Sequence, residues 1–456
     1  MSFIDLTTLI EAAFIPLSVA AYFLYVSGQK AVTDLVQNKE FITFQNVYFL
    51  PYFMALFSDW LQGPYVYKLY SYYGFPQEQI AVLYVVGFAS SVIFGTTTGP
   101  IADKFGRKKM VVIFCLLYSL CCLTKLSPNF FILLVGRILG GISTSILFSV
   151  FESWYIHEHT ITWKYPLDWV SLTFSKATFF NGLLAIFAGI IAQVSSDWIG
   201  FGPVSPFIIA MPFLLVASAI ILNNWPENYG ERDLKWSGSC IEGLKTIMNN
   251  KKILALGLVQ SLFESNMYIF VFLWTPVLEP GLPPIGLTFS SFMIAIMIGS
   301  SVYSILLKNG MKPDVILRYC LSTMGVSMLV CAVTSSPEFH KELVSVSYIS
   351  FLLLEVSVGM YFPCIGRLRG ETIPDSLRAN IMNWFRVPMN IITCGALLGM
   401  HTTHGQGSRA NQVIFLLCAL SSFLGYLISV SFSKIPKPSS SEENFLKTEK
   451  HEVSHA

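Results

Sequence analysis

The chain has 456 residues, of which 54% are hydrophobic and only 12% are charged, whereas an ordinary soluble domain carries roughly 25% charged residues. The mean hydropathy is +0.60. A membrane-spanning helix needs ~20 mostly apolar residues, so this composition supplies about twelve spans. It excludes a soluble globule, an all-β barrel and a disordered chain. The net charge of +2 gives no sign of nucleic-acid binding, and none is predicted.

Thirteen apolar segments follow one another along the chain, and each is longer than a buried helix of a soluble protein. They lie near residues 7–28, 44–69, 78–101, 109–126, 129–155, 173–195, 201–222, 253–274, 286–307, 314–335, 344–366, 380–401 and 411–433. Several contain proline or glycine, which membrane helices tolerate because neighbouring helices satisfy the freed backbone groups. No alternation typical of strands occurs, so each segment is predicted to be a transmembrane helix.

The basic residues predict how these helices are oriented. Most of the 29 lysines and arginines fall in alternate loops, on one side of the predicted membrane. The positive-inside rule places that side in the cytoplasm. The N-terminus is then outside and the C-terminus is cytoplasmic. Arg137 is the one basic residue clearly within a predicted span.

The longest internal polar stretch, residues 223–252, separates the last twelve predicted spans into six and six. Apolar residues recur at helical spacing from Ile241 to Met248, which predicts a short amphipathic helix on the membrane face. The tail that starts at Lys434 is polar and is predicted to be disordered.

Two six-helix halves joined by a cytoplasmic linker form the outline of the major facilitator fold. We therefore predict an all-α polytopic membrane protein with this fold and one extra N-terminal transmembrane helix. The predicted units are the first helix with a cytoplasmic linker (1–43), an N-terminal six-helix bundle (44–222), the amphipathic linker (223–252), a C-terminal six-helix bundle (253–433) and the tail (434–456).

A short loop between the second and third of the later spans resembles the signature loop of major facilitator transporters. Here Gly99 would let helices approach closely and Gly106 would permit the turn, while Asp103 and Arg107 would form a charge latch at the helix end. The plainer alternative is a basic cytoplasmic loop without a latch. The matching loop of the second half, residues 308–312, lacks the aspartate and arginine, so a cytoplasmic gate of this kind is expected on one side only.

Charged residues inside predicted spans are candidates for function. A charge at the position of Arg137 costs ~2.5–3.5 kcal/mol even on a lenient insertion scale, so the side chain should face an aqueous cavity or a partner. Four acidic residues also lie within spans, at Asp59, Glu152, Glu264 and Glu355. For each of these residues the alternative is a structural ion pair or a side chain that reaches the membrane surface.

Two helix faces carry several polar residues at helical spacing. One has Gln260, Glu264 and Tyr268, and the other has Asn383, Arg386 and Asn390. Arg386 is assigned to the cytoplasmic gate. By contrast, His157 and His159 are two residues apart and face different ways on a helix, so no metal site is predicted. No phosphate-binding loop or nucleophile–base pair occurs, so we predict neither an enzyme nor a cofactor.

Several strings resemble one family in particular, the molybdate-anion transporters of the major facilitator superfamily. They are residues 59–70, 118–127, 151–159, 262–265, 270–278 and 383–388. The resemblance extends over about residues 44–431. It implies a multi-pass carrier in the plasma membrane that moves molybdate into the cell through the lipid bilayer.

This resemblance gives the polar residues expected roles. A tetrahedral dianion needs fixed N–H donors, so Arg137 is the expected substrate contact, with Gln62, Tyr268 and Asn390 as weaker candidates. Importing two negative charges against about −70 mV costs roughly 3 kcal/mol. At least two protons would cancel this electrical cost, and the candidates to carry them are Glu264, Glu152 and Asp59.

Two alternatives remain open on the residues alone. One is a carrier for another anion, a sugar or an organic acid, because an arginine in the membrane binds a carboxylate equally well. The other is a non-transporting receptor or scaffold built on a carrier fold, which would bind a ligand without moving it.

Overall fold

The computed structural model describes residues 5–28, 38–166, 168–230, 236–373, 378–399 and 407–435. Within them the secondary structure is entirely helical, with no strand. The predicted disordered tail lies, from residue 436 onward, outside the described residues. So does most of the predicted linker after the first span.

Nine α-helices of the described residues precede the polar stretch. They are α1 (Leu6–Gly28), α2 (Lys39–Gln62), α3 (Tyr65–Tyr72), α4 (Gln77–Phe105), α5 (Arg107–Thr124), α6 (Phe130–Leu147), α7 (Val150–His157), α8 (Asp168–Gln193) and α9 (Ser205–Asn224). Short π-helical segments extend α7 and α8, over Glu158–Thr162 and Val194–Trp198. We refer to α2–α9 as the first half.

Seven more helices follow in the described residues. They are α10 (Trp236–Asn249), α11 (Lys251–Leu278), α12 (Ile285–Lys308), α13 (Pro313–Thr334), α14 (Val344–Thr372), α15 (Arg378–Gly399) and α16 (Ser408–Lys434). A 3₁₀ turn, Glu279–Gly281, ends α11. We refer to α11–α16 as the second half. Helix α10 lies within the stretch predicted to hold an amphipathic helix, and it buries Ile247 while Met248 is exposed.

Each apolar segment predicted from the sequence is helical over most of its described residues. In the described part of the chain, ten helical segments are long and apolar enough to cross a membrane. Helices α2, α5 and α15 are not among them, because they carry charged or polar residues such as Asp59, Arg107 and Arg386. The count of thirteen spans therefore stays a prediction.

Two predicted spans are interrupted. The first breaks between α2 and α3 at Gly63 and Pro64, where proline has no N–H to donate. The second breaks between α6 and α7, where Ser149 leaves the helical conformation (φ −127°, ψ −49°). The Ser149 hydroxyl donates to the carbonyl of Ser145 at 2.6 Å and so competes with the backbone ladder.

Three helices begin at an asparagine. The side chains of Asn38, Asn129 and Asn250 each accept two backbone N–H groups from the first turns of α2, α6 and α11. These N–H groups have no partner within their helix, and an asparagine cap stabilises a helix by about 0.5–2 kcal/mol relative to alanine. The caps fix where these helices start, and α2 starts five residues before the predicted bundle boundary at residue 44.

In the first half, α2 packs on α8 and α9, α5 packs on α6 and α9, and α4 packs on α6. Trp154 of α7 stacks on Trp225, just after α9, with ring centroids 3.7 Å apart. In the second half, α13 packs on α14 and α16, α12 on α14, and α11 on α15 and α16. Between the halves, α8 packs on α12 and α4 on α15.

Helix α1 lies against the second half, mainly against α12. Its residues Leu6 and Ile10 are buried, and the Leu6 side chain lies against Gly281. Most of its other residues are partly or fully exposed, which is typical of a peripheral helix in contact with lipid.

Candidate functional site

An ion pair lies between α11 and α14 of the second half. Nη2 of Arg369 is 3.0 Å from Oε1 of Glu264, and the side chains are 18% and 12% exposed. Nε of Arg369 donates to Oε1 of Gln260 at 3.0 Å, and the hydroxyl of Tyr361 donates to Glu264 at 3.1 Å. Gln260 and Glu264, which lie on the predicted polar face of α11, therefore both bind Arg369. The charge of Glu264 is balanced within the protein.

Arg369 and Tyr361 were not identified from the sequence. The apolar run of residues 344–366 predicts a span that ends before Arg369, so Arg369 is expected in the cytoplasmic loop that follows. Helix α14 instead continues to Thr372, so Arg369 is held on the helix and reaches back to Glu264. Tyr361 and Arg369 are about two helical turns apart, so they lie on one face of a helix. This spacing could have been recognised in the sequence.

Arg386 of α15 lies close to this ion pair. Its side chain is exposed, and its charge acts on Glu264 and on Tyr268 of α11. Asn390, one turn later, donates from Nδ2 to the carbonyl of Arg386 at 2.7 Å. The structure thus brings Glu264, Tyr268, Arg386 and Asn390 into one region. It places Arg386 beside Gly95 of α4, which lies more than two helical turns before the predicted latch residue Asp103.

The side chain of Arg137, on α6, packs against α4 and finds its partners there. Its Nε donates to the carbonyl of Leu83 at 3.0 Å, and its Cζ is 4.9 Å from the ring centroid of Tyr84, a cation–π distance. Gly87 makes room for the guanidinium, since a Cβ there would lie 2.6 Å from Nη2. Tyr84 in turn contacts Phe272 of the second half, at 5.2 Å between centroids.

Two other predicted residues of the first half have local partners. Gln62 is buried and donates to the carbonyl of Ser58 in its own helix at 3.0 Å. Asp59 accepts a hydrogen bond from the hydroxyl of Tyr118 on α5. The structure therefore does not bring Gln62 or Asp59 to Tyr268 and Asn390.

The remaining acidic candidates differ in exposure. Glu152 on α7 is exposed, and its charge acts on Tyr48 and Tyr52 of α2. Glu355 on α14 is only 5% exposed. Glu152 is thus the carboxylate of the four that is most accessible from outside the protein.

The residues of the predicted latch, Asp103 and Arg107, form an ion pair within the first half. Nη2 of Arg107 is 2.7 Å from Oδ1 of Asp103, and Nη1 donates to the carbonyl of Ser153 on α7 at 3.2 Å. Gly106 adopts φ +110°, a conformation that favours glycine. Gly99 does not make the close helix approach expected of it. Within the described residues a Cβ at Gly99 meets no atom within 4 Å, because α4 has no neighbour on that face.

Glu227, which was not identified from the sequence, binds the start of α5 in this region. Glu227, in the segment after α9, accepts the backbone N–H groups of Lys108 and Lys109 at 2.8 and 3.3 Å. A negative charge at the start of α5 satisfies N–H groups that have no helical partner and favours the helix dipole. The start of α5 is therefore tied both to α4 and to the segment after α9.

We expect Gly106→Ala to destabilise this end of the protein. The side chain would be strained at φ +110°, and its Cβ would lie 2.6–2.7 Å from the Glu227 carboxylate. A strained backbone of this kind costs about 1–3 kcal/mol. A lower midpoint of thermal unfolding for the purified variant checks the prediction, with Gly370→Ala as control, because a Cβ there meets nothing. An unchanged midpoint would contradict it.

Close contacts join the halves at the end of α8 and the start of α12, on the predicted outer side. The backbone N–H of Gly286 donates to Oε1 of Gln193 at 2.8 Å, and Ser290 donates to the carbonyl of Ile186 at 2.9 Å. A Cβ at Gly189 would lie only 2.7 Å from the carbonyl oxygen of Gly286. The two backbones therefore meet directly here.

Aromatic rings continue this contact toward the middle of the helices. Phe88 of α4 meets Tyr268 of α11 with centroids 5.3 Å apart, and Tyr67 of α3 meets Phe272 at 5.5 Å. Such edge-to-face pairs add about 0.5–1.5 kcal/mol each beyond the area that they bury. On the predicted outer side the two halves are therefore joined by backbone contact and aromatic packing.

Known proteins similar to this chain are carriers. A major facilitator family model described as sugar transporters with 12 TM matches residues 11–354. The molybdate-anion transporter of Xenopus tropicalis is 42% identical over 401 residues, which is 88% of each chain. The molybdate-anion transporter of Xenopus laevis is 42% identical over 407 residues, or 89% of each chain.

Solved structures with low sequence identity share the fold. The nucleoside transporter NupG superposes with a TM-score of 0.66 at 12% identity, over 85% of this chain and all of that one. A POT family transporter in complex with 5-aminolevulinic acid gives a TM-score of 0.70 at 14% identity, over 85% and 96% of the two chains. These likenesses support the all-helical major facilitator fold predicted from the sequence.

The relatives and the family model together cover most of the chain, and both describe multi-pass membrane transporters rather than enzymes. Arg137, Glu152 and Glu264 lie within the residues that the family model matches. The chain belongs to the molybdate-anion transporter family of the major facilitator superfamily.

Proposed function

We propose that this protein is a secondary active transporter that takes up molybdate, or a similar oxyanion, by alternating access coupled to protons. The observation that carries the proposal is the 42% identity to a molybdate-anion transporter over 88% of both chains. The arginines within the helices support it, since a carrier of a dianion needs cationic N–H donors in the membrane.

The proposed substrate contacts come from both halves. Arg137 uses one N–H on the carbonyl of Leu83, and the other N–H groups of its guanidinium are the proposed anion donors from the first half. Tyr268 and Asn390 supply a hydroxyl and an amide from the second half. Gln62 is a weaker candidate, because its amide donates within its own helix.

The Glu264–Arg369 pair offers a route for coupling. A proton on Glu264 would neutralise its charge and weaken its hold on Arg369, which leaves a cation for the entering anion. The exposed Glu152 is the proposed second proton carrier. Two protons per dianion would cancel the cost of roughly 3 kcal/mol that a potential of about −70 mV imposes.

The proposed moving parts are the two six-helix bundles, residues 44–222 and 253–433. The contacts between α8 and α12 would hold the outer side closed in the state described here, and the Asp103–Arg107 latch would hold the cytoplasmic side when the cavity faces outward. We propose that α1 is an additional span on the second bundle, and that the membrane is the plasma membrane.

Uptake of labelled molybdate by cells expressing the chain tests the proposal. We expect uptake above background that rises as the external pH falls, and a loss of about tenfold or more in Arg137→Leu at equal surface level, because charge-assisted hydrogen bonds disappear. Glu264→Gln should flatten the pH dependence. Uptake that does not change with pH would count against proton coupling.

A second candidate substrate class is sugars, because the matching family model is described as sugar transporters. The same cells distinguish the two. Entry of a labelled hexose with no entry of molybdate would favour the sugar carrier, whereas binding without flux of either would favour a receptor.

A further inference from the structure

We propose that Arg386 is the principal ligand of the transported oxyanion, in a site formed with Gly95 between the two halves. This inference rests on the proposed transport function and names its binding site. Arg386 is predicted from the sequence to belong to the cytoplasmic gate; here it takes the main role that the sequence gives to Arg137, which remains a further contact from the first half.

The guanidinium of Arg386 differs in its contacts from those of Arg369 and Arg137. Arg369 is bound to Glu264 and Gln260, and Arg137 is bound to a carbonyl and a ring. Among the residues that the structure describes, the Arg386 guanidinium forms neither an ion pair nor a hydrogen bond, although its side chain is exposed. In a helix that is predicted to cross the membrane, a guanidinium without an anion is costly, so such a site favours a negatively charged ligand.

Arg386, on α15 of the second half, lies next to Gly95 of α4 in the first half. A Cβ placed on Gly95 of α4 would lie 4.0 Å from Nη1 of Arg386 and 3.7 Å from Oγ of Ser145 on α6. At Gly95 there is therefore a small volume, enough for a methyl group at ordinary contact distance, between Arg386 of the second half and Ser145 of the first half. A guanidinium beside such a volume presents two parallel N–H groups to two oxygens of a tetrahedral anion.

The polar residues around Arg386 and Gly95 differ in the hydrogen bonds that they form. The hydroxyl of Tyr268, within electrostatic range of Arg386, makes no hydrogen bond to any residue described in the structure. Asn390 donates to the carbonyl of Arg386 and holds this turn of α15 in place. The hydroxyl of Ser145 lies 2.9–3.0 Å from the carbonyls of Gly141 and Ser91, which keeps the wall formed by α4 and α6 rigid.

The charges in the site match a dianion together with a proton. Arg386 contributes one positive charge, and the Glu264–Arg369 pair contributes none. A dianion leaves one negative charge uncompensated, and a proton on Glu264 removes it. Binding of the anion and of the proton therefore favour each other, so the affinity for the oxyanion should rise as the pH falls.

Molybdate binding to the purified full-length protein in lipid nanodiscs, measured by calorimetry, tests the site. We expect Arg386→Leu and Gly95→Val each to weaken binding about tenfold or more, since one loses the donors and the other fills the volume. Arg386→Lys should fall between wild type and leucine, because lysine keeps the charge but not the planar pair of donors. Gly95→Ala should weaken binding less than Gly95→Val.

Gly395→Val is the matched control. Gly395 lies on the opposite face of α15 from Arg386, and a Cβ there meets no atom, so binding should be unchanged. The thermal midpoints of all variants show that they are folded. Wild-type affinity in both Arg386→Leu and Gly95→Val would overturn the inference while leaving the carrier intact. A wild-type protein that binds and transports no oxyanion would instead refute the proposed function.

Discussion

Arg369→Leu is expected to abolish oxyanion uptake and to lower the thermal stability of the purified protein. The substitution leaves the Glu264 carboxylate, only 12% exposed, with no cation in contact. Removing one partner of a buried ion pair costs about 3–5 kcal/mol, because the remaining charge is neither paired nor hydrated. Thermal unfolding in detergent and labelled uptake measure the two effects separately.

The double variant Glu264→Gln/Arg369→Leu should recover most of the stability, since it leaves no unpaired charge, but should not recover coupled uptake. Arg367→Leu on the same helix is the matched control. Its partner Glu371 is 37% exposed, and an exposed pair contributes about 0–1 kcal/mol. An Arg369→Leu midpoint no lower than that of Arg367→Leu would show that the pair is not buried in solution.

Gly189→Ala is expected to block uptake because the outer side can no longer close. A Cβ there would lie 2.3 Å from Oγ of Ser290 and 2.7 Å from the carbonyl oxygen of Gly286. The backbone oxygen cannot turn away, so α8 and α12 must separate. Uptake should fall to background, while molybdate binding to the purified protein persists, since the proposed anion site is elsewhere.

Gly182→Ala on the same helix, two turns earlier, is the control for this steric effect. Its Cβ would lie 3.4 Å from Met297, a flexible side chain that can move at little cost. We expect near-normal uptake. Normal uptake by Gly189→Ala as well would mean that the transport cycle does not pass through the closed contact between α8 and α12.

The helical fold was predictable from the sequence because its signal is long-range and repeated. Apolar runs of about 20 residues and the sorting of basic residues between loops require no knowledge of packing. The breaks within α2–α3 and α6–α7 were not predicted, because hydropathy does not register a serine that bonds its own backbone, as Ser149 does.

The candidate site was only partly predictable. Helical spacing correctly placed Gln260 and Glu264 toward one partner, since both contact Arg369. It did not identify Arg369, because periodicity within one helix carries no information about the helix that faces it. For the same reason the sequence did not indicate that Arg137 would be bound to α4, whereas the Arg386 guanidinium has no ion pair or hydrogen bond to the part of the chain that the structure describes.

The break at Ser149 divides one predicted membrane crossing into two helices, α6 and α7. Helix α6, on the predicted outer side, holds Arg137 against α4. Helix α7, on the predicted cytoplasmic side, carries Glu152. Arg107 donates a hydrogen bond to α7, at the carbonyl of Ser153, the residue next to Glu152. Helix α7 is also bound to the segment after α9, because Nε1 of Trp154 donates to the carbonyl of Pro226 at 3.0 Å. The contacts that surround Glu152 near the predicted cytoplasmic surface are therefore separate from those that hold Arg137 in the other part of the same predicted crossing.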